Sequence, residues 1–236
     1  MSSPDFSRTK ALNNIPNKKL HEAIFIIESS SVSIETKAVK LTAINRYAES
    51  NLPIGYWGLK MDKDFYGDPK LIGKYEEYVA DIKASYINGN SLCLASRHGT
   101  GKTMTIVCVL KKACQKGYSC LYTTLSDMVN VLTYAGTDDK FLARRELVLV
   151  DFLAIDEVDV RFFNQSENSN ELFAKTFELI IRTRLQNKLP TLIATNSPNM
   201  KEGFLSAFKD SLGSLLTQLP IFYVGGEDFR KQNKEI

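Results

Sequence analysis

The chain has few of the residues that staple small extracellular folds. Its 236 residues include four cysteines, Cys93, Cys108, Cys114 and Cys120, with no C-x-x-C pair among them. Such spacing excludes a disulfide framework and a zinc knuckle, and it reads as reduced, packed thiols in a cytoplasmic protein. Long apolar runs are missing as well. Candidates such as Ala23–Ile27 are a few residues long, against the roughly 18–20 needed to span a bilayer. The first twenty residues contain no apolar h-region, so no secretory signal is expected. Charge of one sign is also scarce. The net charge is +3, distributed as +2, −1, 0 and +2 over residues 1–50, 51–90, 91–160 and 161–236. No block forms the basic stripe of an autonomous duplex-binding domain. A nucleic-acid surface, if there is one, must be assembled by folding or by several subunits.

What is present is the composition of a globular protein able to bury a core, 44% apolar and 24% charged. The length fits one ordinary domain with an appendage, or two small domains. Near the start, Leu20, Ala23, Ile24 and Ile27 fall on one face of a helix over 17–28. Ile34, Ala38, Leu41, Ile44 and Ala48 do the same for a helix over 34–49. Two such helices bury little alone and must pack on the rest of the chain or on another chain. A turn-rich aromatic stretch follows, IGYWGLKMDKDFYGDP, with Pro69 placed to open a helix running to about Ile87. Leu71, Tyr75, Tyr78, Ile82 and Tyr86 mark its inner side.

From residue 91 the pattern alternates between apolar strands and amphipathic helices. Strands are expected at 91–95, 119–123, 152–156, 191–195 and 221–224. Helices are expected at 102–116, 126–135, 139–148, 170–187 and 199–218. Short, nearly continuous apolar strands separated by helices predict a five-stranded parallel sheet covered on both faces, a three-layer α/β fold.

The chemistry-bearing residues fall in the first strand-to-helix loop, Ser96-Arg97-His98-Gly99-Thr100-Gly101-Lys102-Thr103. A phosphate-binding loop needs glycines so that successive backbone N–H groups can wrap the phosphates. It also needs a lysine for the β- and γ-phosphates and a hydroxyl residue for Mg²⁺. Gly99, Gly101, Lys102 and Thr103 meet these needs, and the helix starting at Lys102 adds its positive dipole end. The opening glycine of G-x-x-x-x-G-K-[ST] is replaced by Ser96, a small residue. The candidate nucleotide-binding run is therefore Ser96 to Thr103 plus Met104, with Thr103 and Asp156 as the Mg²⁺ pair. His98 lies inside the loop, at a position that normally faces outward.

About fifty residues on, Phe152-Leu153-Ala154-Ile155-Asp156-Glu157 is an apolar strand ending in two carboxylates. The first is suited to the Mg²⁺ shell, the second to polarising a water beside the γ-phosphate. Together with Lys102-Thr103 this argues for hydrolysis of ATP as well as binding. Asn196, at the end of the 191–195 strand, is either a second group on that water or a turn residue before Ser197-Pro198.

The series GTGKT, FLAIDE and TLIATNS resembles the DnaC/IstB branch of AAA+ ATPases, the helicase loaders and their transposition relatives. LPIGYWGLKMDKDFYGDPKL before it and VGGEDFR after it extend the likeness over about Leu52 to Arg230. The resemblance implies an AAA+ core over 51–236 and a partner-binding helical region over 1–50. It implies Lys102 and Thr103 on phosphate and Mg²⁺, Asp156 on the metal, Glu157 as catalytic base and Asn196 as sensor. Tyr56 and Trp57 match an aromatic segment near the adenine, or are simply core. Its implied partners are a replicative hexameric helicase, single-stranded DNA held weakly by a monomer, and further copies of the chain in an ATP-dependent homo-oligomer.

Two departures stand out. In the resembling L-G-x-R-x-x-x-R segment the family's arginines are replaced by Leu215 and Leu219, so slow hydrolysis is expected. Lys209, Arg182 or Arg184 could substitute, although the two arginines read as the exposed face of their helix. Only residues 225–236 follow the last expected strand, too few for a helical lid. The first reading is a helicase loader. The alternatives are a transposition accessory ATPase forming filaments on duplex DNA, and a poorly hydrolysing nucleotide-binding adaptor.

Overall fold

Five strands, Leu92–Ala95 (β1), Cys120–Thr124 (β2), Phe152–Asp156 (β3), Thr191–Thr195 (β4) and Ile221–Tyr223 (β5), form one parallel sheet in the order β2-β3-β4-β1-β5. The computed structural model describes residues 12, 15–159, 167–197, 218–225 and 228–229, with backbone alone at 167–174. β1, β3 and β4 are buried at every position, as expected for parallel strands covered on both sides.

Successive side chains of a strand point to opposite faces, and the two faces carry different helices. On one, Leu94, Tyr122, Phe152, Ala154 and Leu192 meet Ile106, Val107 and Leu110 of helix α5 (Lys102–Gln115). On the other, Cys93, Leu121, Leu153, Ile155 and Ile193 meet helices α6 (Leu125–Tyr134), α7 (Thr137–Leu149) and α8 (Glu167–Gln186) through Met128, Leu147, Ile180 and Ile181. This is the expected three-layer α/β fold. All four cysteines are thiols outside any disulfide and are buried inside it. Among the described residues no helix is long and apolar enough to cross a membrane.

The chain opens with α1 (Asn17–Glu28) and α2 (Ile34–Glu49), the latter capped by Ser33, whose hydroxyl accepts from the Thr36 amide. Only the second half of α2 reaches the core. Arg46 Nη1 donates to the Cys114 carbonyl at 2.8 Å, and Gln115 Nε2 donates to the Tyr47 hydroxyl at 2.8 Å. Ile34 and Ala38, expected on the packed face, are exposed instead, Ile34 to 83%. Beyond α2, Asn51 adopts a left-handed conformation (φ 51°). There the Ser50 carbonyl accepts from the Tyr122 amide at 2.8 Å and Asn51 Nδ2 donates to the Tyr122 carbonyl at 3.0 Å, lining the α2 exit against edge strand β2.

The single helix expected from Pro69 to about Ile87 is two, α3 (Lys70–Val79) and α4 (Ile82–Asn88). Asp81 leaves helical geometry (φ −137°, ψ 83°) and its carboxylate caps the Ala84 amide at 2.8 Å. Tyr78 and Ile82 are buried on both sides of the break, so the apolar spacing runs straight across it. Asp81 was the local signal, as a good N-cap residue.

Arg184 corrects a second expectation. It is fully buried, not on the exposed face of α8. Its guanidinium donates to the carbonyls of Leu147, Val150, Asp151 and Pro190 and to the Thr191 hydroxyl, at 2.8–3.3 Å. Leu147 and Val150 sit at the end of α7, where carbonyls lack partners within the helix. Burial lowers the Arg184 pKa to about 9, with the nearby Asp151 opposing, so it stays charged at neutral pH. Arg182 is exposed as expected and pairs with Glu178. Residues 199–217 of the helix expected at 199–218, with Lys209 and Leu215, lie outside the described residues.

Candidate functional site

The C-terminal ends of β1, β3 and β4 point to one edge of the sheet, where parallel α/β folds place their ligand crevice. β1 runs into the loop 96–101 and thence into α5. Gly99 (φ 77°) and Gly101 (φ 95°) take conformations that side chains resist. A Cβ on Gly101 would also come within 2.6 Å of the Phe65 ring, and one on Gly99 would collide with the Asp228 carboxylate. Segments on both sides therefore press onto this loop. The Asp68 amide donates to the Thr100 carbonyl at 3.0 Å and the Phe229 amide to the Gly99 carbonyl at 3.2 Å.

A cleft of about 440 Å³ opens beside the loop. His98, Gly99, Thr100, Gly101, Lys102, Thr103, Met104, Asp156, Glu157 and Asn196 all line it, so three separated sequence motifs meet in one place. Ser96 and Arg97 do not line it. Ser96 is buried beneath the loop and Arg97 is exposed. The aromatic pair divides: Tyr56 lines the cleft, whereas Trp57 is buried behind it, with Nε1 donating to the Leu52 carbonyl at 2.8 Å and the ring against Tyr47. Met104 packs with Met61 and Cys108 under Tyr56, Leu59 and Phe65, giving the cleft an apolar end.

Lys102 is folded into the loop. Its Nζ donates to the Arg97 carbonyl at 2.8 Å, the Ser96 hydroxyl at 2.9 Å and the Ser96 carbonyl at 3.3 Å. Ser96, the residue that breaks the glycine pattern, thus supplies an acceptor that glycine could not.

At the end of β3 the two carboxylates differ in surroundings. Asp156 is buried, its Oδ1 accepting from the Glu157 amide at 2.7 Å and its Oδ2 from the Tyr122 hydroxyl at 2.9 Å. Burial and the adjacent Asp156 push the Tyr122 phenol far above its ordinary value, so it stays a donor. Glu157 is exposed to the cleft with a left-handed backbone (φ 54°). Desolvation, then the charges of Asp156 and Asp127, raise its carboxyl, while His98 opposes. Among the described residues no cation pairs with Asp156, and the Thr103 hydroxyl lines the same cleft. This donor set fits a hard divalent cation. No group of three His, Cys, Asp or Glu among the described residues forms an all-protein cage. Mg²⁺ in nucleotide sites instead takes one or two protein oxygens plus phosphate.

Sequence reasoning missed Leu59, Asp64, Tyr66 and Asp159, which also line the cleft, and Tyr122, which lies outside the lining and donates to Asp156. It missed Lys111 too, whose Nζ donates to the Tyr56 and Leu59 carbonyls and ties the aromatic segment to α5. Burial lowers the Lys111 ammonium pKa. The turn-rich composition of 54–69 was the available signal for the first three. Nothing in spacing announces the others.

Residues 75–235 match the family described as IstB-like ATP binding protein. The chain belongs to the IstB-like ATP-binding family. Curated proteins give no match. Among solved structures, this IstB-like chain is similar to the DnaC helicase loader (TM-score 0.58, 20% identity, 72% of this chain and 98% of that one). It is similar as well to DnaI (0.53, 16%, 74% and 94%) and to AMPPCP-bound DnaA from Aquifex aeolicus (0.56, 19%, 71% and 50%). The chain spans about half the length of the DNA replication initiation structures it matches. These likenesses are of the α/β fold.

Proposed function

We propose that this IstB-like protein is an ATP-dependent loader that delivers a replicative hexameric helicase to single-stranded DNA. The observation that carries the reading is the convergence of Lys102-Thr103, Asp156-Glu157 and Asn196 on one cleft with an apolar end. In this reading the adenine lies at the Tyr56–Met104 end. The amides of residues 99–103 and the Lys102 ammonium hold the β- and γ-phosphates. Thr103 and Asp156 hold Mg²⁺, which when bound neutralises charge on the phosphate oxygens. Glu157 takes the proton from the attacking water, Asn196 orients that water, and the products are ADP and phosphate.

The family's arginine position at Leu219 is buried, so no side chain reaches a neighbouring subunit from there. Arg184 is buried too and serves the fold. In this reading hydrolysis by the lone chain is slow and ATP drives its assembly. Residues 1–50 are the partner-binding region and 51–236 the ATPase core. Phe25, Ile26, Ile34 and Val39 on α1 and α2 are 68–83% exposed, a large apolar surface for helices that are otherwise charged. Likeness to the DnaC loader over nearly its whole chain supports helicase as the partner. The family match favours a second reading, an IstB-like transposition ATPase forming filaments on duplex DNA.

The deciding experiment is a pull-down of replicative helicase by the full chain and by a Phe25→Asp, Ile34→Asp variant, with ATP binding as the control. Capture by the wild type and loss in the variant, with ATP binding retained, support the loader. Failure of the wild type to capture helicase, together with ATP-dependent and salt-sensitive assembly on duplex DNA, sinks it in favour of the second reading.

A further inference from the structure

Resting on the assignment of Asp156 to the metal, we propose that Tyr122 is a positioning residue for Mg²⁺ and that Asn51 holds it in place from the end of the N-terminal helices.

Tyr122 lies on edge strand β2, paired with Ala154 of β3. Asp156 is two residues beyond Ala154, so both side chains stand on the α5 face and meet diagonally. The Tyr122 hydroxyl donates to Asp156 Oδ2 at 2.9 Å, while Oδ1 is taken by the Glu157 amide at 2.7 Å. With both oxygens engaged by neutral donors, the carboxylate is fixed in rotation without being neutralised. Its remaining lone pairs keep their charge for a cation. A neutral donor fits a metal-holding carboxylate better than a lysine would, because a lysine would compete with the metal.

Tyr122 is itself gripped from outside the sheet. Its amide donates to the Ser50 carbonyl at 2.8 Å, and its carbonyl accepts from Asn51 Nδ2 at 3.0 Å. Ser50 and Asn51 are buried and follow directly on α2, the helix anchored to α5 through Arg46 and Tyr47. Tyr122 is thus one residue removed from the α2 exit on its backbone side and in contact with the metal-site carboxylate on its hydroxyl side. A shift of α2 relative to the sheet moves the tyrosine that orients Asp156. By reciprocity, occupation of the metal site biases α2.

The test measures binding of a fluorescent ATP analogue to the full chain in EDTA and across a Mg²⁺ titration, with thermal unfolding as a fold control. Tyr122→Phe removes one hydroxyl and keeps the ring. It should raise the Mg²⁺ concentration at half-effect about tenfold and leave affinity in EDTA unchanged. Asn51→Gly keeps the left-handed backbone and deletes the donor, and it should shift the Mg²⁺ midpoint in the same direction by less. An unaltered midpoint in Tyr122→Phe overturns the positioning role. A normal midpoint in Asn51→Gly beside a shifted one in Tyr122→Phe overturns the link to α2. If wild type binds the analogue without regard to Mg²⁺ and Asp156→Asn is equally indifferent, the metal assignment fails and takes this inference with it.

Discussion

Replacing Ser96 by alanine tests how Lys102 is stored before nucleotide arrives. The Lys102 ammonium has three protons, directed at the Arg97 carbonyl (2.8 Å), the Ser96 hydroxyl (2.9 Å) and the Ser96 carbonyl (3.3 Å). Alanine deletes the hydroxyl and leaves both carbonyls. Ser96 is fully buried, so bulk water does not replace the lost acceptor. A hydrogen bond to a charged group is worth about 1.5–3 kcal/mol net, and the lower figure suits a site that keeps two acceptors. The hydroxyl also donates to the Arg97 carbonyl at 3.0 Å and shares a hydrogen bond with Thr100 Oγ1 at 2.5 Å, a loss common to both states. The lysine's share, about 1.5 kcal/mol, falls on the nucleotide-free protein, because in the proposed bound state the lysine turns to phosphate. Binding should therefore tighten about tenfold. The same cost should lower the nucleotide-free Tm by about 3–6 °C for a chain of this size. Titration with a fluorescent ATP analogue, and thermal unfolding with and without saturating ATP, measure the two sides. Affinity that is unchanged or weaker in Ser96→Ala refutes the storage argument. So does a Tm deficit that persists undiminished at saturating ATP.

Other expectations follow from single contacts. Arg184→Met removes the guanidinium from four carbonyls, of which that of Pro190 still accepts from the Leu153 amide, and should destabilise by about 3–5 kcal/mol, whereas Arg182→Ala should stay within about 0.5 kcal/mol of wild type; chemical denaturation separates them. Trp57→Ala should cost about 3–5 kcal/mol of stability at the core, while Tyr56→Ala should weaken nucleotide binding with a smaller effect on Tm. Glu157→Gln should retain bound ATP and lose hydrolysis in single-turnover assays. The folded-state pKa of Glu157 is raised, so its carboxylate costs stability once pH exceeds that value, and the cost fades on acidification toward its ordinary 4.5. Glu157→Gln should accordingly melt higher than wild type at neutral pH, with the gap narrowing as pH falls to about 4.5. Equal melting temperatures at neutral pH would contradict the raised pKa.

Much of the fold could be read in advance because its parallel strands are buried on both faces and carry nearly unbroken apolar runs. Phe152–Asp156 and Thr191–Thr195 match expectation to the residue. Where expectation failed, a polar residue overrode the apolar period. Asp81 ended a helix that Tyr78 and Ile82 alone would continue. Arg184 went inward because carbonyls at the end of α7 needed donors, a demand it can meet only once α7 and α8 are neighbours. Ile34 and Ala38 are a separate case: they carry the apolar spacing of α2 yet stay exposed, so spacing alone did not decide which half of that helix is buried.

The candidate site divides in the same manner. The glycines, Lys102, Thr103, Asp156, Glu157 and Asn196 were legible because each sits at the end of a predictable strand, and parallel strands deliver their C-terminal ends to one edge. The sequence by itself determined most of the elements, their alternation and the residues proposed to meet phosphate, through local spacing and backbone preference. Tertiary structure alone decided that Tyr56 faces the cleft while Trp57 turns away and that Ser96 holds Lys102. It alone decided that Tyr122 and Asn51 connect the first helices to Asp156. Those contacts join residues from 5 to 71 positions apart. Their geometry depends on how strands register and helices dock, which no local pattern encodes.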